Sequence, residues 1–447
     1  MKKQFDFPYE NILVLGLAKS GTAAAKFLLE NGKNVCINDL QATENDVMIQ
    51  ELTKMGAKVV LGSHPLDILN NVDIIVKNPG IPYHIPLLKE AMERKIPIVT
   101  EIEIASSITE GAIIGITGSN GKTTTSTLIY QMLKHDQQAV KIAGNIGVVA
   151  TEVAKDMTKD EKMVLELSSF QLLGIESFRP HMAVLLNIYE AHLDYHHSIE
   201  HYEQAKFNIF KNQEQTDYLI YNADQERIAT AAKLSNATLV PFSTKQKEVS
   251  GAWTDKEYIY FKNEKVIAID EIVLVGEHNL ENILAAVSVA KLNDVSNESI
   301  QYLLKHFTGV EHRLQFVRKV NERLFYNDSK ATNILATEVA LKAFNQPTIL
   351  LAGGLDRGTE FDEIIPFLKN VKHMILFGQT KEKLKMIAEK AEKSFELVET
   401  VAEAVDQAYK HSANGDVILL SPACASWDQF KTFEDRGNMF IQAVHKL

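Results

Sequence analysis

Cysteine is nearly absent from this 447-residue chain, which has only Cys36 and Cys424, far apart in sequence. Two such residues cannot supply a disulfide framework, and this sparing use fits a reducing cytosol. Long apolar runs are missing as well. The opening Met1-Lys-Lys-Gln-Phe-Asp-Phe-Pro8 has no stretch of signal-peptide length, and no later segment approaches the roughly 20 apolar residues of a membrane span. Positive charge is in deficit: 47 Lys and Arg stand against 58 Asp and Glu, a formal net charge of −11, which disfavours a nucleic-acid partner. Short-period repeats, low-complexity tracts and long linkers do not occur. The expectation is a soluble cytoplasmic protein without membrane or nucleic-acid partners, divided at this length into two or three domains of roughly 100–200 residues.

What is present is a phosphate cradle. In Gly115-Ile-Thr-Gly-Ser-Asn-Gly-Lys-Thr-Thr-Thr125 a hydrophobic strand runs into a glycine-rich turn that ends in Lys-Thr at a helix start. Backbone N–H groups and the positive helix end meet an anion there, Lys122 can reach terminal phosphates, and the Thr123 hydroxyl can bind Mg²⁺. Gly118, Ser119, Asn120, Gly121, Lys122, Thr123 and Thr124 are therefore the expected contacts to a nucleoside triphosphate. The first glycine of the strict motif is replaced by Ile116, with Gly115 and Gly118 on either side.

The first hundred residues alternate strand and helix signals: Asn11 to Leu15, Asn34 to Asn38 and Asp73 to Lys77 read as strands, and Gly21 to Asn31 as a helix, a βαβ series and hence a parallel sheet. The opening turn Gly16-Leu-Ala-Lys-Ser-Gly21 resembles a dinucleotide fingerprint, with Asp39 where a ribose-binding acid belongs. Its second glycine is Ala18, which suits a looser nucleotide contact than NAD requires. A second unit runs from near Thr100 to about Thr308; its strands Lys162 to Ser168 and Met182 to Asn187 carry polar residues at their C-terminal ends, where open α/β sheets bind ligands. A third unit repeats the pattern with strands Thr348 to Gly354, His373 to Gly378 and Asp416 to Ser421. The expected limits are residues 1–101, 102–308 and 309–447.

A triphosphate needs a divalent ion with oxygen ligands, and Glu166 at its strand end is the best carboxylate candidate. His192 and Asp194 are candidates to bind or orient a second metal or its water, although histidine is an unusual magnesium ligand. The segment His201 to Phe210 places Tyr202, Lys206, Ile209 and Phe210 on one helix face. By itself this pattern reads Lys206 as a snorkelling side chain; burial would instead lower its pKa and free its amine for chemistry.

Gly118 to Thr124, Glu166-Leu-Ser-Ser-Phe-Gln171, Asn187 to Asp194, Gly276-Glu-His-Asn-Leu-Glu-Asn282, Glu311-His-Arg313 and Asn327-Asp-Ser-Lys-Ala-Thr-Asn333 together resemble the Mur ligases of peptidoglycan synthesis. Within that family, Ser421-Pro-Ala-Cys-Ala-Ser-Trp-Asp-Gln-Phe430, Phe433 and Arg436-Gly437, with the Rossmann-like opening, are similar to the members that add D-glutamate. The resemblance implies an α/β fold of three domains: an N-terminal Rossmann-like domain for a UDP-substrate, a central P-loop-type ATPase domain and a C-terminal Rossmann-like domain for amino acid and ATP. It implies ATP and Mg²⁺ as cofactors, UDP-N-acetylmuramoyl-L-alanine and D-glutamate as substrates, a monomer, and roles in cell wall biogenesis, cell shape, cell division and the cell cycle. By resemblance Lys122, His192 and Lys206 are catalytic. Thr123, Glu166, His192 and a carbamylated Lys206 hold metal, and Asn279, Asn282, Arg313, Asp328 and Lys330 contact ATP. Lys19, Ser20, Asp39, Asn78, Pro79, Gly80 and Asn145 face the UDP-substrate, and Thr332, Arg357, Ser426 and Phe433 the D-glutamate. Arg357 stands where some members have lysine, and Trp427 where some have leucine. The alternative is a sister Mur ligase adding another amino acid; an NAD oxidoreductase is disfavoured by Ala18 and by a phosphate loop it would not need.

Overall fold

The computed structural model describes residues 7–146 and 148–447; Gly147 and residues 1–6, on which the expectation about the chain start partly falls, lie outside them. The chain forms two compact units, Met1–Ile269 with Glu281–Leu303, and Asp270–Leu280 with Leu304–Leu447.

The first unit opens with five strands, β1 (Asn11–Leu15), β2 (Asn34–Asp39), β3 (Lys58–Leu61), β4 (Ile74–Lys77) and β5 (Ile98–Val99), in the order β3-β2-β1-β4-β5 and all parallel. A parallel sheet is covered on both faces, which is why β1 is apolar at successive positions. Ile12 and Val14 enter one core, while Leu13 and Leu15 enter the other. The turn after β1 needs both of its glycines. Gly16 has φ +86°, and a Cβ there would lie 2.7 Å from Ile81 Cδ1; a Cβ on Gly21 would lie 1.9 Å from the Gly16 carbonyl oxygen.

The second sheet comprises β6 (Ala112–Thr117), β7 (Val140–Gly144), β8 (Lys162–Glu166), β9 (Met182–Leu185), β10 (Tyr218–Asn222) and β11 (Thr238–Phe242), in the order β11-β10-β9-β6-β8-β7 and all parallel. Because β6 lies between β8 and β9, the loops after these three strands meet at a point where the chain turns to opposite sides, the place where such sheets take ligands. A small antiparallel sheet of β12 (Ala252–Thr254), β13 (Tyr258–Phe261) and β14 (Glu264–Ala268) follows. It was not anticipated, because its strands are short; a stack of Trp253 on Tyr260, 4.3 Å between ring centroids, helps to hold it.

In the second unit, β15 (Gln315–Val320), β16 (Arg323–Asn327), β17 (Thr348–Gly353), β18 (Val371–Phe377), β19 (Ser394–Leu397) and β20 (Val417–Leu420) are ordered β15-β16-β20-β17-β18-β19. All pairs are parallel except the hairpin β15/β16, whose turn residues Asn321 and Glu322 have φ of 46° and 63°. The expected strands are found within a few residues of their limits; the hairpin was not foreseen. Both cysteines are free. No helix among the described residues is long and apolar enough to cross a membrane.

Candidate phosphate, metal and amino-acid sites

The phosphate loop joins β6 to the helix Lys122–His135. Its form is dictated by close approach: a Cβ on Gly118 would meet Leu186 Cβ at 2.9 Å, and Gly121, at φ +81°, would drive one to 2.0 Å from the Asn282 side-chain oxygen. Asn282 thus borders the loop. Asn187, just beyond β9, clamps it from the other side, accepting the Asn120 N–H at 2.8 Å through its side chain and the Ser119 N–H at 2.9 Å through its carbonyl. Asn187 was singled out as a strand end and as the first residue of the Asn187 to Asp194 motif, without a role of its own; the polar residue closing an apolar strand, the signal that picked Glu166, also marked it. The Lys122 ammonium donates to the carbonyls of Gly118 at 2.7 Å and Ser119 at 3.0 Å.

Glu166 ends β8 and is buried. Its Oε1 accepts from Asn145 Nδ2 at 3.1 Å, whereas its buried Oε2 has no hydrogen-bond partner. An orphaned carboxylate oxygen beside a phosphate loop is costly unless a cation meets it, so the donor set here fits Mg²⁺. Asn145 therefore orients Glu166 as well as lining the cavity described below.

Lys206 lies in the helix Ile199–Phe207, which Ser198 caps by accepting the His201 N–H. The snorkelling reading fails, because Lys206 is only 1% exposed. Its ammonium donates to the Gly118 carbonyl at 2.9 Å and sits 4.7 Å over the Tyr202 ring. Burial first, and the Lys122 charge second, push its pKa well below the usual lysine value. Tyr202 in turn shares a 2.9 Å hydrogen bond with Ser119 Oγ. His192 has φ +55°, is exposed, and packs edge-on against Phe170 at 5.0 Å. Burial and then Lys206 lower its pKa, favouring the neutral imidazole that a metal ligand must be. His196, which the sequence reading passed over, is buried with Nε2 3.0 Å from Ser169 Oγ and its pKa pushed down to about 4 by burial.

A cavity of about 640 Å³ brings these groups together with the first sheet: Lys19, Ser20 and Asn78 to Gly80 share its lining with Lys122, Asn145, His192 and Lys206. The Asn78 to Gly80 loop is held from beneath by Lys77, which is 1% exposed and donates to the carbonyls of Asn78, Pro79 and Ile81. Burial pushes the Lys77 pKa down to about 7. Asp39 does not line the cavity; its carboxylate accepts backbone N–H bonds from Leu17, Gln41 and Ala42. Burial alone would raise its pKa, but these bonds win and lower it.

In the second unit, Asn279 donates through its side chain to the Val275 carbonyl at 2.7 Å. Arg313 Nε and Ser426 Oγ are buried without hydrogen-bond partners. Lys330 is exposed, its ammonium 5.4 Å over the Phe433 ring. Thr332 follows in the same turn, its N–H bonded to the Lys330 carbonyl. The guanidinium of Arg357 lies 4.7 Å over Trp427, so the two departures from the family pattern are neighbours. Arg436 was noted in sequence but given no role. It is 1% exposed and binds Ser329 Oγ, the Ser329 carbonyl and the Gly353 carbonyl, tying the ends of β16 and β17 to the last helix.

Asp328 is buried, with Oδ1 accepting from the Leu314 N–H and Oδ2 from Ser421 Oγ. Burial pushes its pKa up to about 7 from 3.8. Between about pH 4 and 7 the folded state therefore holds a proton that the unfolded state has lost, so this contribution to stability is full below about pH 4 and is lost as pH rises through about 7. Asp328→Asn should be more stable than wild type at about pH 8, by at most on the order of 4 kcal/mol, with the gain vanishing near about pH 4. Urea midpoints of both proteins at several pH values check this; a pH-independent difference overturns it.

Residues 10–100 match the Mur ligase MurD-like N-terminal domain, 116–290 the Mur ligase middle domain and 312–424 the Mur ligase glutamate ligase domain. The chain is 57% identical over 443 residues, 99% of each chain, to the UDP-N-acetylmuramoylalanine–D-glutamate ligase of Oceanobacillus iheyensis. It is 57% identical over 449 residues, 100% of each chain, to the protein of that name from Bacillus thuringiensis. Among solved structures, the MurF ligase from Thermotoga maritima in complex with ADP has the same fold, with a TM-score of 0.57 at 18% identity, covering 100% of this chain and 97% of that one. With matched domains in sequence order and full-length relatives at this identity, the chain belongs to the Mur ligase family.

Proposed function

We propose that this chain is an ATP-dependent ligase that joins D-glutamate to UDP-N-acetylmuramoyl-L-alanine in peptidoglycan precursor synthesis. The observation that carries the reading is 57% identity over the whole length of relatives bearing that activity in their names. The cavity that unites Lys19, Ser20 and Asn78 to Gly80 with Lys122 and Lys206 supports it. In this reading residues 1–101 take the UDP moiety, 102–308 the ATP, and 309–447 the amino acid together with part of the ATP, and the enzyme works as a cytoplasmic monomer.

The substrate carboxylate attacks the γ-phosphorus of ATP, the bond to ADP breaks, and an acyl phosphate results. The amine of D-glutamate then attacks the acyl carbon and phosphate leaves. Positioning and charge neutralisation dominate such a transfer. Lys122 trades its bonds to the Gly118 and Ser119 carbonyls for the γ-phosphate oxygens, and Asn187 keeps the loop's N–H groups in place. Thr123 and Glu166 would hold one Mg²⁺ and His192 with a Lys206 carbamate a second, which would supply charge neutralisation at the phosphoryl oxygens. A carbamate forms only on a neutral amine, which the burial of Lys206 favours. Asp328, Lys330 and Arg313 would serve the nucleotide. Arg357, with its planar fork braced on Trp427, would pair a D-glutamate carboxylate, while Thr332, Ser426 and Phe433 line the same subsite.

An ADP-release assay with UDP-N-acetylmuramoyl-L-alanine and a panel of D- and L-amino acids tests the assignment. Turnover with D-glutamate alone is expected. Turnover only with L-lysine or diaminopimelate would make the chain a sister ligase.

A further inference from the structure

Away from these sites, three side chains of the second unit converge at the edge of its sheet. His373 on β18, Glu396 on the edge strand β19 and His411, the last residue of the helix Val401–His411, present one ligand atom each within 4.8 Å of one another. The hydrogen bonding of His373 determines which ring nitrogen is available. Ser394 Oγ lies 3.0 Å from the Lys372 carbonyl, to which it can give its proton, and 2.7 Å from His373 Nδ1, from which it can then accept. In that arrangement Nδ1 carries the ring proton and Nε2 the lone pair. That Nε2 is buried and has no hydrogen-bond partner, in a residue only 7% exposed. A histidine that donates one N–H to a fixed oxygen and aims the other nitrogen at nothing has the arrangement of a metal-bound imidazole.

The remaining donors are adjustable. The His411 ring stacks on His373 at 4.1 Å, and its Nε2 meets Glu396 Oε2 at 2.9 Å. With side-chain exposures of 43% and 34%, His411 and Glu396 have room to turn out of the ring stack and toward metal–ligand lengths of about 2.0–2.2 Å. His411 also ends a helix, where the backbone carbonyls favour positive charge. Lys372, beside His373 in sequence, is paired with Asp416.

We propose that His373, Glu396 and His411 form a binding site for a borderline divalent metal of the Zn²⁺ class, completed by solvent, that ties the edge strand β19 to β18 and the helix end. Two imidazoles and one carboxylate suit Zn²⁺ and are a poor set for Mg²⁺, so this site is chemically distinct from the phosphate site.

The test uses full-length enzyme, stripped with a chelator, desalted and titrated with Co²⁺ in excess Mg²⁺, in parallel with His411→Ala and Glu396→Gln. Both substitutions fall on partly exposed side chains, so folding is retained. Wild type should bind one equivalent of Co²⁺ more than either variant, with visible ligand-field bands missing from the variants. Zn²⁺ should raise its thermal midpoint but not theirs, and their affinity at this site should fall by at least about tenfold. ADP release in Mg²⁺ should be unchanged in both. Equal stoichiometry and spectra in wild type and variants, or no Co²⁺ uptake by wild type beyond that of the variants, would overturn the proposal.

Discussion

Lys122→Ala is expected to lower turnover by about a hundred- to a thousandfold, or about 2.7–4 kcal/mol of transition-state stabilisation, the loss typical of removing one donor from developing charge. The fold should be spared. The loop conformation rests on Gly118 and Gly121 being glycine and on the Asn187 clamp, and the Gly118 carbonyl keeps its bond from Lys206 when Lys122 is lost. The unfolding midpoint should therefore stay close to wild type while kcat collapses under saturating substrates. Wild-type ADP formation by the purified variant would show that the phosphate-loop assignment is wrong.

Lys206→Ala should be nearly as damaging, and it carries a second signature. If the working group is a carbamate, formate, acetate or propionate entering the space left by the side chain should restore part of the activity, because each supplies a carboxylate near the same position. Lys206→Met is the control: it fills the volume and cannot form a carbamate, so it should be inactive and resist rescue. A merely structural lysine would behave in the opposite way, since methionine would restore packing and with it activity. Full activity in the alanine variant, or rescue of the methionine variant to the same degree, would eliminate the carbamate.

The two lysines also illustrate how far one chain of residues can be read. Lys122 was legible because its chemistry is local: an apolar strand, a glycine turn and a helix start lie within eleven residues, and the backbone geometry they impose is itself the binding device. Glu166 was legible for a related reason, since a lone carboxylate closing an apolar strand points to the ligand end of a parallel sheet. Lys206 was not. Its helix face predicts a stem along apolar surface with a solvated head, and only the arrival of Gly118, from a segment 88 residues away, closes over the ammonium. Asp39 was legible as a strand-end acid, but the three backbone N–H bonds that its carboxylate accepts come from the turns around it and were not.

Strand periodicity and turn chemistry determined that this is an α/β chain with parallel sheets, and long motifs in one order determined its family. Those signals are carried by neighbours in sequence, where a period of two or a required glycine needs no distant partner. The tertiary structure decided which polar groups end up without water: the orphaned Glu166 Oε2, the sunken amine of Lys206, the buried carboxyl of Asp328 and the unpaired Nε2 of His373. It also decided the β15/β16 hairpin and the small sheet at 252–268, whose short strands become stable only against their neighbours. Burial is a property of the whole assembled core, so a residue's desolvation, and with it much of its chemistry, is not written in the segment that carries it.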